Sequence, residues 1–250
     1  MDSLETELER ARVLDESELA DAIETIGFEC TRCGACCKAE SACGEGGESA
    51  DETADGASES AGSDRSDGSA ETDAEPHTAT VFPDEIRQLQ AAGEYDFRDV
   101  ARPMPYGLAD GPDGPEGETF EWALQTDDCG DCTFYAEDDD GTGACTVHGD
   151  RPLICRTYPF SVALGGTSQP MGEAVGEEGM VRAHECEGLG RDISRADAEE
   201  LAAALKERAI RELTEAIGVR DNYRPVDPSA GQVVVHDSEG AKRPDGSPYE

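Results

Sequence analysis

The stretch FECTRCGACCKAE, Phe28 to Glu40, sets Cys30, Cys33, Cys36 and Cys37 almost side by side. Free cysteine behaves as a small hydrophobe, and it is seldom spent this densely without a covalent or metal bond in return. In each Cys-x-x-Cys step the backbone can turn back so that both sulfurs approach one metal at about 2.3 Å. Gly34 and Ala35 keep bulk away from the sulfurs. Neighbouring side chains diverge, so Cys36 and Cys37 are not expected to complete one tetrahedron with Cys30 and Cys33. Either they point to different metals or one of them bridges two.

The surroundings favour metal over disulfides. The start, MDSLETELER, is acidic and lacks the basic, apolar pattern of an export signal. No apolar run approaches the ~20 residues needed to span a bilayer. A cytoplasmic protein is expected, without membrane association, and thiols there are normally kept reduced. The run Cys30, Cys33, Cys36 has the spacing of three ligands of a bacterial ferredoxin cluster, whose fourth ligand comes from elsewhere.

Charge supplies a second constraint. The 250 residues carry 58 acidic against 20 basic side chains, a net charge of −38. Residues 51–76 hold nine acids and one arginine, which leaves −30 spread over the rest. Such a chain repels itself at ordinary salt. At about 1 M salt the Debye length falls to roughly 3 Å and the repulsion is screened. Abundant Asp and Glu with scarce Lys resemble the make-up of a salt-in halophile, an archaeon, and the bias along the whole chain favours this over the competing reading, an acidic surface for a basic partner. With no basic face, nucleic acid is not an expected partner.

The periodicity predicts helix over residues 3–26, a weaker piece with Leu4 and Leu8 followed by one with Leu19, Ala22, Ile23 and Ile26, stopping at Gly27. Residues 44–76 lack large apolar side chains and read as a disordered acidic insertion. Pro83 suits the first turn of a short helix with Ile86 and Leu89 on its apolar face. Asp110–Glu118 reads as a turn-rich loop and TFEWALQ as a strand. Cys132–Ala136 and Ala144–His148 flank a Gly-rich acidic turn, a hairpin pattern that places Cys132 and Cys145 on paired strands. RPLICRTYPFSVAL reads as a tight turn leading to a strand. Ser194 with Asp197 starts a long helix to Gly218, lined by Leu201, Leu205, Ala209 and Leu213. The remainder reads as irregular, with QVVVH as an edge strand. Trp122 is expected in the core, and His77 and His236 at the surface.

CTRCGACC, CTFYAEDDDGTGACTVH, RPLICRTYPF and CEGLG, in this order, resemble the YkgJ-type cysteine-cluster family, CxxCGxCC, described as zinc- or iron-chelating and distantly related to flagellin lysine N-methylases. The resemblance covers roughly residues 27–190, less the insertion. It implies metal ligation by Cys30, Cys33, Cys36, Cys37, Cys132, Cys145, Cys155 and Cys186. Eight thiolates suit two Cys₄ zinc ions or an iron–sulfur cluster with further ligands. His148 stands where the family usually has tyrosine.

Cys129, which forms a Cys-x-x-Cys step with Cys132, together with His148 and His184, are candidate extra ligands. Cys43 reads as a free thiol. Arg151, Arg156 and Tyr158 flank Cys155. The arginines offset thiolate charge from outside the ligand set, or bind an anionic substrate.

These readings converge on an α+β fold: a small metal-stabilised domain with a β-hairpin core, flanking helices and a long C-terminal helix. Its expected parts are an N-terminal helical segment (1–26), the cysteine-cluster domain (27–190), the C-terminal helix (191–218) and an irregular acidic tail (219–250). The expected function is chelation of Zn²⁺ or iron, an iron–sulfur cluster included, with metal ions as the partners. The alternative is an iron–sulfur-dependent protein-modifying enzyme related to flagellin lysine N-methylase. No glycine-rich nucleotide loop and no Ser/His/Asp arrangement supports a specific reaction.

Overall fold

A computed structural model describes residues 2–39, 76–112, 114–164, 174–176 and 179–249. The fold is α+β. Helices α1 (Leu4–Arg12) and α2 (Glu16–Ile26) come first. Past residue 75 follow β1 (Thr80–Val81), α3 (Pro83–Ala92), α4 (Phe97–Val100), β2 (Ala101–Pro103), β3 (Leu108–Gly111), β4 (Gly114–Thr119) and β5 (Trp122–Leu124). Next are β6 (Tyr135–Glu137), β7 (Gly143–Cys145), α5 (Leu153–Thr157), β8 (Phe160–Val162), β9 (Ala174–Gly176) and β10 (Val181–His184). The long helix α6 (Arg195–Asn222), β11 (Val233–Asp237) and β12 (Gly240–Lys242) complete the order.

Side-chain caps start α1, α2 and α6. Ser3 accepts from the Thr6 N–H at 3.3 Å, Asp15 from Ser17 N–H at 2.8 Å, and Ser194 from Asp197 N–H at 3.1 Å. Each satisfies a donor that the helix itself leaves open. Gly27 ends α2 at φ 76°, a left-handed conformation that glycine adopts without strain.

Two larger cores result. In one, Ile86, Leu89, Val100, Trp122, Leu124 and Phe134 pack together, with Cys37, Cys132, Cys145 and Cys155 in or against the cluster. In the other, Leu19 and Ile23 of α2, Phe160 and Val181 of the β8–β10–β9 sheet, and Ala198, Ala202 and Leu205 of α6 meet. The alanines on α6 let α2 come close. Leu8 and Ala11 of α1 seal the far end of α6 against Ala209 and Leu213. Buried Arg208 links α6 to the site region: its Nε donates to Glu212 at 2.6 Å and its Nη1 to Thr157 Oγ1 of α5 at 3.0 Å.

Several expectations are corrected. Residues 110–111 and 114–118 belong to a β3–β4 hairpin, not a loop, and the tail carries two strands, β11 and β12. β11 pairs antiparallel with β12 and parallel with β4, inside a sheet ordered β12-β11-β4-β3. Buried Val234 and Val235 and the Trp122 Nε1–Asp237 bond of 3.0 Å hold β11 there. His236 is therefore buried, with Nε2 2.8 Å from Glu118 Oε2. His77 is half-buried, and burial beside Arg102 pulls its pKa down to about 4. α6 runs past Gly218 to Asn222; a Cβ at Gly218 would lie 2.7 Å from that of Ser238, so this glycine serves close packing rather than a stop. The expected 44–76 insertion lies, apart from Pro76, outside the described residues, as does Cys43.

Candidate metal centre

The chain leaving α2 turns at Gly27 and runs antiparallel to the segment after Cys186. Phe28 bridges Leu189, the Glu29 N–H donates to Gly188 O at 3.0 Å, and the Gly190 N–H donates to Gly27 O at 3.0 Å. This pairing carries Cys30 alongside Cys186. The loop then coils through two left-handed residues, Arg32 at φ 58° and Gly34 at φ 76°. It closes in a short 3-10 turn, Ala35–Cys37, with the Cys37 N–H bonded to Gly34 O at 2.7 Å. Within this turn the Cys36 and Cys37 sulfurs stand 3.8 Å apart.

A second set of bonds fastens the loop to the hairpin. The Cys132 N–H donates to Cys37 O at 2.8 Å, and the Gly143 N–H to Arg32 O at 2.7 Å. Lys38 Nζ and Tyr135 Oη both donate to Glu137 Oε2 at 2.5 Å. Tyr135 packs so tightly on Gly34 that a Cβ there would fall 2.2 Å from its hydroxyl. Sequence reading did not single out Lys38, Tyr135 and Glu137 as a latch; the reach of Lys38 across to β6 has no local signature.

The remaining cysteines come from different elements than expected. Cys145 ends β7, but its strand partner is Tyr135. Cys132 precedes β6 and bridges Thr126 instead. Cys155 sits on helix α5, not in a turn. α5 is anchored where the Leu153 N–H donates to Glu85 Oε1 at 2.8 Å. Cys186 accepts from the Gly188 N–H at 3.4 Å, and the Tyr158 hydroxyl donates to Glu185 O beside it.

All eight expected ligands, Cys30, Cys33, Cys36, Cys37, Cys132, Cys145, Cys155 and Cys186, are free thiols lining one cavity of about 1200 Å³. Among the described residues, no three or more Cys, His, Asp or Glu side chains are drawn together closely enough to cage an ion. The thiols thus share a chamber without being clenched.

Their electrostatics shows which are neighbours. Burial pushes Cys132 up to about 11, and then the Cys145 and Cys36 charges add to it. Cys155 is raised by burial and by Cys132, Cys36 and Cys145, with Arg151 opposing. Cys186 is raised by burial and by Cys36, Cys33 and Cys30. Cys36, raised first by its contact with Cys37, lies between the two groups. A divalent cation would reverse this logic, because thiolates crowded without a counter-charge resist ionisation and a metal supplies it. Soft sulfur donors in this number fit Zn²⁺ or iron.

Of the other candidates, Arg151, Arg156, Tyr158 and His148 line the cavity. Burial and the Cys186 charge raise Tyr158 to about 12. The Arg151 guanidinium, and then burial, lower the His148 pKa. His184 is buried on β10 with Nε2 2.8 Å from Ser161 Oγ, turned to the sheet rather than to the thiols. Cys129 is disulfide-bonded, so it offers no thiolate and makes no redox pair with Cys132.

No curated protein and no solved structure matches this chain. A family model described as "CxxCxxCC: Putative zinc- or iron-chelating domain" matches residues 29–188, from just before Cys30 to just after Cys186. The eight free thiols all fall within that span, and the chain belongs to the CxxCxxCC family.

Proposed function

We propose that the protein chelates zinc or iron through these eight thiolates, in two adjoining centres. Supporting the reading is the convergence of thiols from the N-terminal loop, the hairpin region, α5 and the Cys186 turn on one cavity. Cys37, Cys132, Cys145 and Cys155 share the core around Trp122 and would hold one ion. Cys30, Cys33, Cys36 and Cys186, joined by the Phe28–Leu189 pairing, would hold the other. The contact between Cys36 and Cys37 would then join the centres. Metal bound there would supply the cross-link between segments remote in sequence, contributing on the order of 10 kcal/mol to folding.

In this reading residues 27–190 are the chelating domain. α1, α2 and α6 brace it, and the acidic surface keeps it folded in concentrated salt. A closed four-sulfur set is the pattern of structural zinc, whereas an iron–sulfur cluster would bring electron transfer. Elemental analysis of protein purified anaerobically in high salt decides between them. About two zinc ions per chain and no colour support paired Cys₄ sites. Iron with visible absorption bleached by dithionite supports a cluster. Thiols that are all freely titratable in the native protein, with no metal retained, would refute chelation.

A further inference from the structure

The cavity is larger than its thiols need. Two ions displace little more than two waters, about 30 Å³ each, whereas ligand pockets run to about 300–1,000 Å³. The cavity measures about 1200 Å³. Three arginines line it: Arg32 from the cysteine loop, Arg151 before α5, and Arg156 on α5.

Their pairing sets them apart. The chain has 58 carboxylate side chains, and arginines elsewhere take them readily: Arg195 reaches Asp21, Glu24 and Glu199, and Arg211 reaches Asp84 and Glu215. Among the described residues, no carboxylate pairs with Arg32, Arg151 or Arg156, although six acidic residues, Glu29, Glu185, Glu187, Asp192, Asp197 and Glu200, line the same cavity. Arg151 donates from Nε only to His148 O, at 3.2 Å. Arg32 is held in left-handed backbone, which strains a non-glycine residue, and its side chain is exposed at the cavity, as is that of Arg156. Guanidinium forks on one chamber that no carboxylate occupies are suited to bidentate capture of a planar or tetrahedral oxyanion.

We infer that the cysteine cavity also binds a small organic anion bearing a phosphate or carboxylate group, held by Arg32, Arg151 and Arg156. The inference rests on the chelation reading for its setting, with the anion seated beside the metal-loaded thiolates. The competing role for the arginines is to offset the charge of those thiolates.

The test is calorimetric titration of the full-length, metal-loaded protein with pyrophosphate and with citrate, at constant ionic strength set by sodium chloride. Metal content is read on the same samples. Saturable binding of at least one probe is expected, weakened about tenfold or more in R32Q and in R151Q. R156K, which keeps the charge but loses the fork, weakens it less than R156Q. R243Q, whose arginine donates to Pro248 O, binds as the parent does. Absence of saturable binding by either probe, or unchanged binding in the arginine variants, overturns the inference. Arginine variants that shed metal while binding no anion differently assign the guanidiniums to the thiolates and overturn it too. Arginine-dependent binding by protein that holds no metal would sustain the anion site while refuting chelation.

Discussion

Replacing Gly188 with alanine tests the joint that carries Cys30 to Cys186. A Cβ built there lies 2.3 Å from Glu29 O and 3.0 Å from Phe28 Cε2. Ordinary carbon contacts begin near 3.5 Å, so the two segments must part by roughly 1 Å. The obstacle is backbone and cannot swing aside. Parting loosens two bonds of 3.0 Å, Glu29 N–H to Gly188 O and Gly190 N–H to Gly27 O. With each worth about 1 kcal/mol and some strain relieved by movement, the cost is about 1–3 kcal/mol. A domain stable by about 5–15 kcal/mol survives that, so the variant folds. Urea melts should show this loss, and metal analysis should show one centre depleted while the Cys37, Cys132, Cys145, Cys155 centre stays filled. Gly149→Ala is the control: nothing lies within 4 Å of its Cβ position, and it should melt as the parent does. Parental stability and full metal in Gly188→Ala would refute the account of this joint.

Arg208→Met should cost about 3 kcal/mol in urea melts, because it strips the buried partner from Glu212 and Thr157; a loss below about 1 kcal/mol would deny α6 its role in holding α5. His77 titrates near 4 in the fold against 6.5 in a model peptide, because burial and Arg102 disfavour its charge. Its contribution is present above pH 6.5 and is lost as pH falls towards 4, since the unfolded chain takes up the proton first. His77→Gln should accordingly lose less stability than the parent between those pH values, read from paired melts. With −38 charges, melting temperature should climb between 0.1 and 2 M salt; equal melting at both would reject the high-salt reading.

The parts legible in sequence were those with local causes. Ser194 with Asp197 announces α6, Pro83 announces α3, and the CxxC spacing picks out thiols that do line one cavity. What escaped depended on distant partners. β11 becomes an interior strand because β4 lies parallel to it, and nothing in QVVVH encodes that register. α5 is too short, between Pro152 and Pro159, to show a helical period, so the sequence around Cys155 reads as a turn. Gly218 resembles a stop because glycine usually is one, yet here it admits Ser238. Arg32 gave no sign of its left-handed backbone, which glycine rather than arginine normally marks.

X-ray absorption at the edge of the bound metal, on protein purified anaerobically, tests the convergence of the thiols most directly. The account predicts a first shell of sulfur alone, about four atoms per ion near 2.3 Å. A shell dominated by nitrogen or oxygen would contradict it.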